Sequence, residues 1–350
     1  METFWYAAIT LMLAVYVVLD GFDFGVGIVY PAVAQTESER RTALASIGPV
    51  FHGNEVWLIA SGGLLFFAFP RAYAAGFSGF YLALIIVLWL LIVRGLVLAL
   101  RSHLDHPLWR RFCDMAFTSA SLSLAVVLGA ALGNLIRGVP LNPDGYFFVS
   151  FWTDFTVGPK PGILDWFTLL MGLASAAILS LHGANYLAMK TDGTVRERAS
   201  RLARLSGFAT AGLVLLVLAA VYVVQPGFLL NYSAYPLGHL FPGAGMAALA
   251  ATLYFRSRER DSEAFWASSL FILAMLASVA WGSYPNILIA TTDPANSLTI
   301  FNAAAGAYGL EIGFVWFFVG FSLVLVYQVC LHRAFWGKVR REDTAKEDDL

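Results

Sequence analysis

The chain has 350 residues, of which 59% are hydrophobic and 13% are charged, and its formal net charge is −1. Soluble domains carry roughly 25% charged residues, so this composition excludes an ordinary soluble protein. The nearly neutral charge also offers no basic surface for nucleic acid. The sequence therefore predicts an integral membrane protein.

Nine apolar segments are long enough to cross a bilayer as helices, which takes about 20 residues for a hydrocarbon core of roughly 30 Å. The segments are continuous rather than alternating, which is typical of helices and not of β-barrel strands. We expect an all-α integral membrane fold, with one polytopic membrane domain over residues 1–336 and a short cytoplasmic tail over residues 337–350. The nine segments lie near residues 4–30, 50–69, 78–101, 113–136, 163–189, 203–224, 238–255, 264–284 and 306–332.

The distribution of Lys and Arg predicts the orientation of these segments. The N-terminal sequence METFWYAAIT lacks the basic region and cleavage site of a signal peptide, so we expect the first segment to remain as a helix. Positive residues occur in alternate loops, and such loops face the cytoplasm. Nine segments then place the N-terminus outside and the C-terminus inside. The basic segments are ERRTAL, RSHLDHPLWRR, KTDGTVRERASRLAR, YFRSRERD and HRAFWGKVRRED.

Ionisable residues within the apolar segments are concentrated near their cytoplasmic ends. They are Asp20 and Asp23 in the first segment, His52 and Glu55 in the second, Arg94 in the third, Asp114 in the fourth and His182 in the fifth. A charge near the centre of a bilayer costs at least about 2.5–3.5 kcal/mol, so such residues usually pair or line an ion path. We therefore predict a cytoplasmic proton path and a structural ion pair between Arg94 and one of the carboxylates. The path residues are Asp20, Asp23, His52, Glu55 and Asp114.

Two other interpretations of these residues stay open. In the first, Arg94 only neutralises a carboxylate and the cluster fixes helix packing. In the second, His52 and His182 are axial haem ligands, although single helical histidines are more often hydrogen-bonded core residues. The sequence predicts no metal site, because Cys113 and Cys330 form neither CxxC nor CxxCH and no HExxH pattern occurs.

Four motifs together resemble subunit II of the cytochrome bd quinol oxidases. The similarity covers essentially the whole chain, and four separate matches are far more specific than any one of them. The motifs are DGFDFGVG in the first segment, GNEVWLIASGGLLFFAFPRAYAAGFSGFY across the second and third, GNLIRGVP after the fourth and DPANSLTIFNAAA before the ninth.

The resemblance implies two four-helix bundles plus one peripheral helix, paired with a related subunit I in a bacterial cytoplasmic (inner) membrane. It implies that subunit I carries haems b and d, whereas this chain binds no cofactor firmly, contributes a proton path and can hold a structural quinone. A small single-helix accessory subunit is a further expected partner. The complex would oxidise ubiquinol or menaquinol and reduce oxygen to water, and it would generate a proton gradient without pumping.

One position departs from the family pattern. Members commonly have Trp-Asp or Trp-Glu before the Gly-Asn of the second segment, and that acid is regarded as part of a proton channel. This chain has Phe51 and His52 there instead. Glu55 lies one turn further on the same helix face. We therefore interpret Glu55 as a displaced carboxylate and His52 as a second titratable group.

Two alternatives from other functional classes remain at this point. A proton-coupled secondary transporter also uses intramembrane acids and interrupted helices, and a membrane cytochrome would bind haem in its own right. An absorption spectrum distinguishes the three. A transporter has no haem absorption, a cytochrome is coloured when expressed alone, and a subunit II is colourless alone but copurifies with a coloured partner.

Overall fold

The computed structural model describes residues 1–339, which are mostly helical. The predicted tail falls largely on residues 340–350, which lie outside the described residues. Two short antiparallel strands, β1 (Asn286–Leu288) and β2 (Leu298–Thr299), lie between the last two helices. The helices within residues 1–339 are α1 (Glu2–Val33), α2 (Glu37–Ala68), α3 (Pro70–Gly79), α4 (Tyr81–Leu100), α5 (Pro107–Arg137), α6 (Trp166–Lys190), α7 (Gly193–Val224), α8 (Gly227–Ala234), α9 (Leu240–Ser257), α10 (Asp261–Ser283) and α11 (Ala307–Ala334).

Each of the nine predicted segments coincides with a helix, but the boundaries differ most at α2. This helix begins at Glu37, well before residue 50, because a capping box stabilises its first turn. The Thr36 hydroxyl accepts a hydrogen bond from the Glu39 backbone N–H, and the Glu39 carboxylate accepts one from the Thr36 N–H. A search for apolar runs misses this start, since the first turns of α2 are polar.

Seven helices in the described part of the chain are long and apolar enough to cross a membrane: α1, α4, α5, α6, α7, α10 and α11. α2 is not in this set, and it contains the polar sequence His52–Glu55. α9 is also outside the set; it has 18 residues and includes proline and glycine near its start. The expectation of nine spans in two bundles therefore stays a prediction.

α1 is the central helix, since it packs against α2, α5, α6 and α10. Of its most apolar stretch, 72% is buried, against 11% for α4 and 6% for α11. Glycines allow the close contact between α1 and α6, because a Cβ added at Gly25 would overlap the Leu179 carbonyl oxygen and the Gly183 backbone. The glycines of DGFDFGVG thus hold α1 against its neighbours.

The helix ends that carry most of the arginines meet on one side of the molecule, which we call the basic end. Arg101 on α4 bonds Glu37 on α2, and Arg198 on α7 bonds Glu39. Lys190, at the end of α6, donates to the Phe335 carbonyl after α11 at 2.6 Å. These contacts join the ends of five helices.

At the opposite end, the GNLIRGVP motif packs against the segment that follows α10. The Val139 N–H donates to the Ile289 carbonyl at 2.8 Å. Gly138 has a φ of +100°, which favours glycine, and an added side chain would lie 2.9 Å from the Ile289 oxygen. Arg137 and Asp165 form a buried ion pair beside it. The GNLIRGVP motif and the segment after α10 therefore form one folded cap.

Candidate functional site

A buried ion cluster lies between α1, α2 and α4. Arg94 Nη2 donates to Asp20 Oδ1 at 2.7 Å and to Glu55 Oε1 at 2.8 Å. Arg94 and Asp20 are fully buried, while the Glu55 side chain is 27% exposed. The ring centroids of Phe24 and Phe51 lie 4.2 and 4.5 Å from the guanidinium carbon, which is close enough for cation–π contact. Two carboxylates thus share one cation in an otherwise apolar setting.

Asp23 lies one turn beyond Asp20 on α1 and has a different environment. It is fully buried, and Asn54 Nδ2 donates to its Oδ2 at 2.9 Å. Among residues 1–339, no Lys or Arg forms an ion pair with Asp23, and its Oδ1 has no hydrogen-bond partner. A buried carboxyl group held by a neutral amide is therefore adjacent to a carboxylate held by arginine.

His52 connects this cluster to the surface of α2. Its side chain is 86% exposed, and its Nδ1 lies 3.8 Å from Glu55 Oε2. Glu55 in turn contacts Arg94, which contacts Asp20. The structure thus brings four of the residues singled out in the sequence into one row from the surface to a buried acid.

Asp114 belongs to a second cluster, nearer the basic end. It accepts hydrogen bonds from Arg101 Nε at 2.7 Å, Arg40 Nη1 at 3.0 Å and the Tyr30 hydroxyl at 2.7 Å. Tyr30 follows Asp20 by almost three turns of α1, roughly 15 Å. The structure therefore does not bring Asp114 to Arg94, because Arg101 and Arg40 satisfy its charge.

His182 is fully buried on α6 and both of its ring nitrogens have partners. Nε2 lies 3.0 Å from the Val18 carbonyl oxygen and Nδ1 lies 2.8 Å from the Ser268 hydroxyl. A carbonyl oxygen only accepts, so Nε2 carries the hydrogen and Nδ1 is left to accept from Ser268. Phe265 stacks on the ring at 5.0 Å. This geometry favours a core histidine over a haem ligand, which needs a free nitrogen.

Two residues of this region were not assigned a role from the sequence. Asn54 binds Asp23, and its Oδ1 accepts from Gln328 Nε2 on α11 at 3.3 Å. Asn54 lies within the GNEV motif, and Gln328 is an uncharged polar residue within an apolar helix. The position of Gln328 within an apolar helix could have indicated a buried contact from the sequence. An uncharged amide is a weaker indication of such a contact than an intramembrane charge.

The fold and this site define a helical membrane protein with a buried cluster of acids and arginine near its basic end. The family model described as cytochrome bd terminal oxidase subunit II matches residues 1–335. The chain belongs to this family, as its motifs indicated. It is a subunit of a cytochrome bd quinol oxidase, a respiratory oxidoreductase complex that contains haem.

Individual relatives agree with this assignment. The chain is 30% identical to "Cytochrome bd-I ubiquinol oxidase subunit 2" of Escherichia coli K12, over 97% of this chain and 95% of the relative. It is 26% identical to "Cytochrome bd ubiquinol oxidase subunit 2" of Bacillus subtilis, over 88% of each chain. A chain of the bd oxidase structure from Geobacillus thermodenitrificans has the same fold, with a TM-score of 0.75 at 19% identity, over 96% of this chain and 98% of that one.

Proposed function

We propose that this chain pairs with the haem-bearing subunit I in a bacterial inner membrane and conducts cytoplasmic protons to the site of oxygen reduction. The observation that carries this proposal is the arrangement of Asp20, Asp23 and Glu55 around Arg94. Subunit I is the expected partner in this family. The positive-inside rule supports placing the basic end in the cytoplasm and the N-terminus outside.

The charge balance of the cluster supports proton exchange. If Asp20, Asp23 and Glu55 were all ionised, three negative charges would face one guanidinium inside the membrane. Uncompensated charge there is costly, so the cluster is more stable when it also holds a proton. Arg94 compensates Asp20 and Glu55 directly, which leaves Asp23 as the group that takes up and releases this proton.

The environment of the histidines supports placing the haems in subunit I. Haems in subunit I would supply electron transfer and oxygen reduction. His182 has no free ring nitrogen, and His52 points away from the packed core. These residues do not fit an axial ligand pair within this chain. The residues of this chain hold a proton at Asp23.

The exposed face of α2 supports the position of subunit I. His52, Val56 and Ile59 lie along one stripe, with exposed fractions of 48% for Val56 and 74% for Ile59. The helix α11 contacts α2, and only 6% of its apolar stretch is buried. A histidine on such a stripe would be costly against lipid tails. A partner chain that covers His52 removes this cost and gives the proton a route between subunits.

The test uses the purified complete oxidase with Asp23→Asn, Asp20→Asn or Glu55→Gln in this chain. We expect oxygen consumption per haem to fall by about tenfold or more, because an amide keeps the shape but cannot carry the proton. The haem spectrum should remain that of the parent. The matched control is Asp144→Asn, which replaces an exposed carboxylate in the cap at the opposite end.

If all three variants turn over per haem like the Asp144→Asn control, the proton path through this cluster is wrong. If they lower haem content and assembly while turnover per haem is normal, the cluster only fixes packing. Copurification with mass spectrometry tests the pairing separately, since the chain should be isolated with a coloured subunit I.

A further inference from the structure

Two polar side chains on α11 have no role in the function proposed above. α11 is the least buried of the candidate membrane spans in the described part of the chain, yet it carries Gln328 and His332 one turn apart near the basic end. Residues four apart share a helix face. Polar groups on a mostly exposed membrane helix are costly, so a shared polar face calls for a function or a partner.

Gly53 sets this polar face against α2. A Cβ at Gly53 would lie 2.6 Å from Leu331 Cδ2 and 3.4 Å from the Tyr327 hydroxyl. The missing side chain therefore allows α11 to approach α2 at this point. The contact also brings Gln328 Nε2 within 3.3 Å of Asn54 Oδ1. We call this line of contact between the two helices the α2–α11 seam.

Hydrogen bonds join the seam to the buried acid. Gln328 donates to Asn54, and Asn54 donates to Asp23 Oδ2 at 2.9 Å. At the other end of the seam, His332 Nδ1 lies 3.1 Å from the Gln328 carbonyl oxygen. Lys190 bonds the Phe335 carbonyl just beyond α11, so the seam ends at the basic end.

Three buried atoms along the seam have no hydrogen-bond partner within residues 1–339: Asp23 Oδ1, Gln328 Oε1 and His332 Nε2. His332 Nδ1 faces the backbone carbonyl oxygen of Gln328, which can only accept. Nδ1 of a neutral His332 therefore carries the hydrogen, and Nε2 presents a lone pair. Gln328 Oε1 and His332 Nε2 are then acceptors, and so is Asp23 Oδ1 when Asp23 is a carboxylate. Buried acceptors without protein donors are normally satisfied by ordered water, and water is also what a proton path needs.

We propose that the α2–α11 seam is the cytoplasmic entrance of the proton path, in which His332 relays protons through seam water to Asp23. This inference rests on the proton path proposed above. His332 Nε2 takes a proton from the cytoplasm and the ring becomes an imidazolium. It then returns this proton to a seam water, which passes one to Asp23 Oδ1 and converts the carboxylate to the acid. Asn54 and Gln328 are positioning residues, since amides orient the water but carry no proton.

The experiment measures turnover per haem in the complete oxidase with His332→Ala or Gln328→Met. We expect each to fall by about tenfold with an unchanged haem spectrum. Added imidazole should restore turnover in the His332→Ala oxidase, because it replaces the missing base, and it should leave Asp23→Asn unrestored. Cys330→Ala is the matched control, since this side chain is exposed on the same helix.

The outcomes separate this inference from the function on which it rests. If Asp23→Asn is slow but both seam variants turn over like the parent, protons enter at another place. The proton path through Asp23 would then still be supported. Parental turnover in Asp23→Asn, Asp20→Asn and Glu55→Gln would overturn both. A loss of haem and assembly with normal turnover per haem, not improved by imidazole, would make the seam a packing contact only.

A second measurement applies even where the variants assemble poorly. Gln328→Cys, in a chain with Cys113→Ala and Cys330→Ala, should react with a membrane-impermeant thiol reagent added from the cytoplasmic side. Ser322→Cys, exposed and further along α11 from the basic end, should remain unreactive. Equal failure of both positions to react would show that no water reaches Gln328 and would overturn the proposal.

Discussion

At the scale of single residues, the site depends on how one arginine is shared. Arg94 bonds Asp20 and Glu55 through the same nitrogen, and aromatic rings cover its faces. Breaking a buried ion pair by removing one partner costs about 3–5 kcal/mol, because the other charge stays buried without compensation. Here removal of Arg94 would leave two carboxylates in that position.

Arg94→Leu is therefore expected to lower the yield of assembled, haem-containing oxidase severely. Arg71→Leu is the control, because Arg71 is exposed and bonds only the Asn302 carbonyl among residues 1–339. The ratio of haem absorbance to the amount of this chain in purified membranes measures assembly in each variant. Equal assembly of the two variants would contradict the structural role of the Arg94 pair.

At the scale of helices, close packing and end capping hold the site in place. α1 carries both acids and contacts α6 through Gly25 and Gly183. Overpacking a tight contact costs typically about 1–3 kcal/mol, and here backbone atoms rather than flexible side chains would have to move. The position of Asp20 and Asp23 thus depends on Gly25, which follows them by five and two residues.

Gly25→Ala should lower the thermal midpoint of the purified complex, whereas Gly62→Ala should leave it nearly unchanged. The added methyl group would overlap α6 in the first variant, while no atom lies within 4 Å in the second. A thermal shift assay on the two complexes compares them directly. A midpoint for Gly25→Ala as high as that for Gly62→Ala would show that α1 and α6 are not in this contact.

The cap of α2 gives a pH-dependent prediction outside the membrane segments. Hydrogen bonds from the Thr194 hydroxyl, from the backbone N–H groups of Thr36 and Gln35 and from Arg198 lower the pKa of Glu39 from 4.5 to about 2. A lowered pKa in the folded state adds stability above the unfolded pKa, and this contribution is lost as the pH falls from about 4.5 towards 2.

Glu39→Gln should therefore lower the thermal midpoint at pH 7, and the difference from the parent should shrink as the pH falls below about 4.5. Glu263→Gln is the control, because this carboxylate is exposed and, within residues 1–339, its side chain bonds only the neighbouring Arg260. Thermal unfolding of both variants between pH 7 and pH 3 provides the measurement. If the difference in thermal midpoint between Glu39→Gln and the parent were constant with pH, the charge of Glu39 would not stabilise the N-terminal cap of α2.

At the scale of the whole molecule, much of the membrane surface is left for a partner. α4 and α11 bury 11% and 6% of their apolar stretches, and a charged row ends on the exposed face of α2. Packing and hydrogen bonds, not hydrophobic burial, drive association between helices in lipid. These uncovered faces are available for contacts with lipid or with other subunits of the oxidase.

Expression of this chain without subunit I should give no quinol-dependent oxygen consumption, and coexpression should restore it. An oxygen electrode measures the activity, and immunoblotting of the membranes shows that the chain is present in both cases. Full oxygen consumption by the chain alone would contradict the proposal that the haems belong to subunit I.

The membrane class, the approximate positions of the helices in the nine apolar segments and the family were determined by the sequence itself. Hydrophobic length and turn residues act locally, so each predicted segment coincides with a helix. The motifs DGFDFGVG and GNEV also mark the acids near one end of the bundle. Intramembrane charge is rare enough to identify Asp20, Glu55 and Arg94 without any knowledge of their contacts.

The partners of these charges were decided only by the tertiary structure. Asp114 and Glu55 are both acids near the basic end, yet one bonds Arg101 and the other Arg94. Gln328 reaches Asn54 across most of the chain length because Gly53 allows α11 to approach. Such pairs depend on how each helix is rotated and how closely it packs. Those two quantities arise from contacts between distant segments, and spacing along a single helix does not contain them.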